Sequence, residues 1–281
     1  MVNIRDIEHG VHRELSADQT YGGYLRLPAL LSAQRPASDP EHHDELLFII
    51  QHQTSELWLK LVIHELSYAR DRIAAEQLRP ALKSLARVKS IQRQLFEQWA
   101  VLETLTPIEY AQFRTFLGKA SGFQSVQYRV VEFLLGNKNA EMLEVFDPEE
   151  PGRAELSAAL REPSLYDQVL RHFARRGHAI PAVLLDRDVT RPHEFNAELV
   201  PVLRRIYENV GEYWEEYETC EVLVDIEETF QLWRYRHMKT VERIIGHKTG
   251  TGGSSGVAFL KRALELTFFP EILALRSEIG K

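Results

Sequence analysis

The sequence predicts an all-α fold, and three observations carry that prediction. Apolar residues recur every three or four positions through most of the 281 residues. No stretch keeps a period-two alternation, and no Asn-Gly or Asp-Gly turn joins β-branched runs. The 44% hydrophobic and 27% charged shares are those of a chain that buries a sizeable core.

A first long helix is predicted from about Glu41 to Glu76: Pro40 stiffens its entry, and Leu59, Ile63, Leu66 and Ile73 recur on one face. A second runs from about Pro80 to Glu103, with Leu82, Leu85, Val88, Leu95, Trp99 and Leu102 as its stripe. Thr106-Pro107-Ile108-Glu109 combines a capping box with proline at the first helical position, so a third helix starts there and stops near Gly118. Ser121-Gly122-Phe123-Gln124 is a second capping box and opens a helix to Leu135, with Gly136 as its C-cap. Residues 137–193, rich in proline and with a cap at Ser164, read as short helices forming a small subdomain or insertion. Periodicity returns in two helices, Glu198–Glu218 and Glu221–Ile245, then a glycine-rich loop and a last helix from about Val257.

Charge and cysteine content narrow the function. Lys and Arg number 34 against 41 Asp and Glu, a net charge of -7 with the signs interspersed, which is the wrong balance for nucleic-acid binding. One cysteine, Cys220, excludes an intrachain disulfide, a Cys-based zinc cluster and covalent CxxCH haem attachment, and points to a reducing compartment. Residues 1–15 lack the apolar run of a signal peptide, and no apolar run is long enough for a membrane span, so a soluble cytoplasmic protein is expected.

Four local constellations could carry chemistry. Leu223, Ile226, Phe230, Trp233, His237, Val241 and Ile244 step by three or four, which sets His237 in an otherwise apolar stripe. The bland reading is a core histidine bonded to a backbone carbonyl; the sharper one is a metal or haem ligand. His52 follows Phe48 by one helical turn on the same face, and alone that pair is as well explained by packing. Tyr110 and Arg114 form another one-turn pair, a fork and a phenol suited to a carboxylate, or else a surface arginine lying on a ring. Residues 248–256, KTGTGGSSG, lack the P-loop ending and the third glycine of GxGxxG. What remains is a loop suited to folding over a small polar ligand, or a plain linker.

Other chemistries lack their residues. None of the eleven histidines has a glutamate three positions before it, as a ferritin-like di-iron site requires. His64-Glu65 begins like a zinc-protease helix, but Tyr68 stands where the second histidine belongs. No Gly-x-Ser-x-Gly elbow occurs.

The blocks YGGYL (21–25), FIIQHQTSELW (48–58), SGFQSVQY (121–128), LLGNK (134–138), FQLWRYRHM (230–238) and GTGGSSG (250–256) resemble, in order, those of bacterial tryptophan 2,3-dioxygenases across nearly the whole chain. That resemblance implies an all-α homotetramer with a helical core (41–136 and 194–281) enclosing a haem pocket. It implies one haem b per subunit, active as Fe(II), that inserts O2 across the indole C2–C3 bond of L-tryptophan to give N-formylkynurenine, the first step of the kynurenine route. On it His237 is the proximal ligand, and His52 the distal histidine that hydrogen-bonds the indole N–H. Phe48 packs on the indole, Arg114 and Tyr110 hold the carboxylate, and Thr251 contacts the ammonium and carboxylate end. Ser121 lies near both haem and substrate, and Gly250 on the haem side. Tyr21, Tyr24 and Leu25 match a segment (within 1–40) that closes a neighbouring subunit's site. A haem dioxygenase for another indole, or a helical haem sensor or carrier without catalysis, are the competing readings.

Overall fold

The computed structural model describes residues 4, 7–12, 15–16 and 20–280; the rest of the 1–40 segment lies outside the described residues. The secondary structure among them is helical, without strand. In chain order the α-helices are α1 (Tyr21–Tyr24), α2 (Leu27–Leu31), α3 (His43–Ala74), α4 (Leu78–Glu97), α5 (Trp99–Leu102), α6 (Pro107–Phe113) and α7 (Val126–Leu135). They continue with α8 (Arg153–Arg161), α9 (Leu165–Arg175), α10 (Ala182–Leu185), α11 (Leu199–Glu208), α12 (Trp214–Ile245), α13 (Val257–Ala263) and α14 (Pro270–Leu275).

Helices α3, α4 and α12 form the frame. Only residues 75–77 join α3 to α4, and Glu76 takes the left-handed conformation (φ 59°) while the N–H of Gln77 donates to the carbonyl of Arg72 at 2.8 Å. So short a connection lays the two helices side by side and antiparallel. Helix α12 packs along α4. Its stripe is buried as its spacing requires: Leu223 and Ile226 are fully enclosed, Phe230 and Trp233 nearly so. Each such side chain contributes roughly 1.5–3 kcal/mol of burial free energy. Polar contacts fix the register of the pair: Lys89 with Asp225 at 2.6 Å, and Arg236 Nη1 donating to the carbonyl of Phe96 at 3.2 Å. Helices α7 and α9 cover α3, and α8 covers α7.

Four helix boundaries differ from the sequence reading. The predicted helix 80–103 begins at Leu78 and passes at Gln98, where the dihedrals stay helical (φ -62°, ψ -20°), into the short α5; the Gln98 side-chain amide donates to Ser55 Oγ at 2.7 Å. The third helix keeps its predicted capping box at Thr106 and Glu109, but changes to a 3-10 turn over Arg114–Leu117. The Ser121 capping box closes only a 3-10 turn, Gly122–Gln124, and Ser125 starts α7 with its own side-chain cap on Tyr128 N–H. Finally, the chain leaves helix after Glu208, near Asn209 and Gly211, and then runs unbroken from Trp214 to Ile245. The break expected near Glu218 is absent because Thr219 and Cys220 are buried core positions.

Candidate active site

The site lies where the N-terminal half of α3 faces the C-terminal half of α12. His52, on α3, has Nδ1 2.7 Å from the carbonyl oxygen of Phe48, one turn earlier. A carbonyl only accepts, so Nδ1 carries the hydrogen and neutral His52 presents Nε2 as an acceptor. Burial lowers the basicity of this imidazole; the Phe48 carbonyl and the Glu56 carboxylate partly offset it.

His237, on α12, lies flat on Trp99, with ring centroids 4.7 Å apart and planes at 10°. Trp233 lies 6.0 Å away. Burial, and secondarily the nearby His52, push the His237 pKa down to about 4, so the ring is neutral at ordinary pH and keeps a lone pair for a metal. No hydrogen bond holds that ring among the described residues. The carbonyl-bonded core histidine is therefore the wrong description of His237.

Two cavities of about 840 and 680 Å³ share His52, Glu56, Trp99, Phe123 and His237 in their walls, so they form adjoining halves of one space between the helices. Phe48, Tyr110, Ser121, Gly250 and Thr251 line the smaller half. Phe48 stacks against His52 at 4.1 Å and lies 5.9 Å from Tyr110. Burial raises the pKa of the Tyr110 phenol, partly offset by the charge of Arg114, so Tyr110 is a neutral hydrogen-bond donor.

Arg114 stands behind this wall rather than in it: its Nη2 donates to the carbonyl oxygen of Thr249 at 2.6 Å. The glycine loop is folded onto the same rim, with Thr251 Oγ donating to the carbonyl of Ala120 at 2.5 Å and Gly250 N–H to that of Ser254 at 3.0 Å. Gly252 passes so close to Ser121 that a Cβ would sit 2.6 Å from the serine Cβ. Gly256 combines φ +60° with the Lys248 carbonyl 2.6 Å from where a Cβ would stand. The glycines thus permit close approach and a left-handed turn. Tyr21, Tyr24 and Leu25 are apart from this assembly: they are exposed and line neither cavity of their own chain.

Several wall residues escaped the sequence reading. Glu56 was legible as the next turn after His52 on the same face. Trp99, Tyr128 and Arg129 were not, because their helices reveal periodicity but not which neighbour they meet.

A family model described as tryptophan 2,3-dioxygenase matches residues 5–203 and 195–279. The chain belongs to the tryptophan 2,3-dioxygenase family. It is 64% identical over 278 residues to a tryptophan 2,3-dioxygenase of Kineococcus radiotolerans, covering 99% of this chain and 97% of the relative. It is 62% identical over 277 residues to that of Saccharopolyspora erythraea, covering 99% of both. With the Serratia proteamaculans protein of the same name it shares 58% over 279 residues, 99% of this chain and all of the relative.

The tryptophan 2,3-dioxygenase family is haem-dependent, and the residues here fit that group. Among the described residues no three His, Cys, Asp or Glu side chains converge as metal ligands. The wall around His237 is aromatic and contains buried N–H donors without an acceptor, Trp99 Nε1, Trp233 Nε1 and Arg129 Nε. A large flat apolar ligand with acidic edges suits such a wall. No described helix is long and apolar enough to cross a membrane.

Proposed function

We propose that this chain is a tryptophan 2,3-dioxygenase in activity as in family: it binds L-tryptophan and O2 and forms N-formylkynurenine on haem b held by His237. The observation that carries this reading is the pairing of His52 and His237 across one apolar space, with Tyr110 and the glycine loop at one end. When bound, ferrous haem supplies the activation of O2 and the oxygen chemistry.

The protein's own contribution is binding, orientation and exclusion of water. His237 offers one neutral imidazole nitrogen from a dry wall. His52, with Nδ1 bonded to Phe48, accepts the indole N–H on Nε2 and fixes the ring's rotation. An indole N–H is far too weak an acid to lose its proton readily to such a base, so His52 positions rather than deprotonates. Phe48 supplies the face on which the indole packs.

At the other end Arg114 and Tyr110 receive the substrate carboxylate, and Thr251 its amino-acid end. Arg114 now donates to the Thr249 carbonyl, so the incoming carboxylate exchanges with, or shares, a loop contact. Substrate recognition and the ordering of loop 248–256 are thereby one event, and the folded loop keeps water from the reacting atoms.

The full reading is a cytoplasmic homotetramer with one haem per subunit. Tyr21 and Tyr24, exposed on α1, and Leu25, exposed just after it, fit a segment that covers a neighbouring subunit's site, and 137–193 a subdomain laid on the haem-binding core. Reconstitution with haemin, reduction, and addition of tryptophan and air test the activity: the formylated product appears if it is right. Competing turnover of L-tryptophan, D-tryptophan and tryptamine tests the substrate, since tryptamine lacks the carboxylate that Arg114 requires.

A further inference from the structure

The larger half of the cavity extends past His237 to a buried charged cluster on α7 and α12. Arg129 Nη1 donates to Glu132 Oε2 at 2.5 Å, and Arg234 Nη2 to Glu132 Oε1 at 2.8 Å. All three line the cavity and are at most 8% exposed. Two guanidinium ions thus share one carboxylate. Glu227, the next carboxylate within reach of Arg234, is turned to the backbone N–H groups of Phe268 and Phe269, each at 2.9 Å.

The two arginines are not equivalent. Arg234 is fully engaged, donating also to Tyr128 OH at 3.0 Å and to the carbonyls of Ala263 and Leu266. Arg129 keeps Nε without an acceptor, stacked 5.0 Å over Phe123 and 4.8 Å over Tyr128. Of the ten buried side-chain atoms lacking a partner among the described residues, Trp99 Nε1, Arg129 Nε, Asn137 Nδ2 and Trp233 Nε1 belong to this one wall, and all four are donors. Buried donors without acceptors are costly, and a buried surplus of positive charge costs more. A wall so built is completed by an anionic oxygen ligand.

We infer that Arg129 is the anchor for a carboxylate carried on the edge of the cofactor, a haem propionate, with Glu132 and Arg234 holding its guanidinium in place. This rests on the haem reading above and adds to it the part of this chain that grips the rim of the ring.

The test is a Soret-band titration of the apoprotein with ferric haemin and with haemin dimethyl ester, whose propionates are capped. The unaltered protein binds haemin about tenfold or more tighter than the diester, as expected for a hydrogen bond to a charged group. Arg129→Gln loses about tenfold in haemin affinity and none for the diester; Arg129→Lys recovers part of the haemin affinity. Equal affinity of the unaltered protein for both ligands overturns the assignment, and so does equal weakening of both by Arg129→Gln. No Soret shift with haemin at all overturns the haem reading itself, so the two failures are distinguishable. The comparison within the unaltered protein needs no variant to fold.

Discussion

The imidazole of His237 lies parallel to the indole of Trp99 at 4.7 Å, with no hydrogen bond to turn it. Stacking fixes the plane of the ring, while the freedom of its nitrogens leaves them for a metal. His237→Ala therefore retains its helices but gives no Soret shift on titration with haemin and forms no product. Circular dichroism and absorbance on the same sample check this, and normal haem content in the variant contradicts it.

His52 acts through a hydrogen bond whose geometry is set by Phe48. His52→Ala is expected to lower kcat/KM about tenfold, the order of one hydrogen bond of about 1–1.5 kcal/mol, with turnover remaining. Complete loss of turnover at normal haem loading would show an obligatory base instead.

Arg114→Leu removes the charged partner of the substrate carboxylate and weakens tryptophan binding by about 2–5 kcal/mol, seen mainly in KM. Any residual turnover of tryptamine should be unchanged by this substitution. If tryptamine suffers as much as tryptophan, Arg114 serves the loop through Thr249 and not the substrate.

Gly252→Ala forces a methyl group against Ser121, 2.6 Å from its Cβ, and pushes the loop off the rim. The expected result is a several-fold higher KM with haem affinity intact. Limited proteolysis at 248–256 then becomes insensitive to added tryptophan, whereas in the unaltered protein tryptophan protects the loop.

One contribution to acid stability comes from an ion pair away from the site. Burial by itself would raise the pKa of Asp167, but the Arg187 fork at 2.6 and 2.9 Å and the Ser164 contacts lower it below the ordinary carboxylate value. Its folded form therefore binds a proton less readily than its unfolded form. The stability this contributes is present above pH 3.8 and is lost as the pH falls below it. Asp167→Asn leaves Arg187 unpaired and costs about 3–5 kcal/mol near neutrality. Urea unfolding against pH should show the difference between the two proteins shrinking on the acid side.

What the sequence disclosed follows from the range of the forces involved. Caps at Thr106, Ser164 and Gly136 are local and were legible. So was the apolar stripe that carries His237. The continuity of α12 through the buried Thr219 and Cys220 depends on what packs against them and was not. At the site, the one-turn pairs Phe48–His52 and Tyr110–Arg114 were visible as pairs. Their roles came from resemblance to whole blocks of a family, because spacing alone does not say which helix stands opposite. In the Arg129–Glu132–Arg234 cluster only the Arg129–Glu132 spacing is local; the meeting with Arg234, about a hundred residues on, left no signal.

The central claim is that His237 holds an iron porphyrin while His52 and Arg114 orient tryptophan beside it. The most direct measurement follows haemin-loaded, reduced protein through one anaerobic addition of tryptophan and then air, reading the Soret band and product absorbance together. The expected result is a Soret shift on adding tryptophan, followed under air by stoichiometric and then continuing formation of N-formylkynurenine. A protein that loads haem normally yet shows neither shift nor product contradicts it.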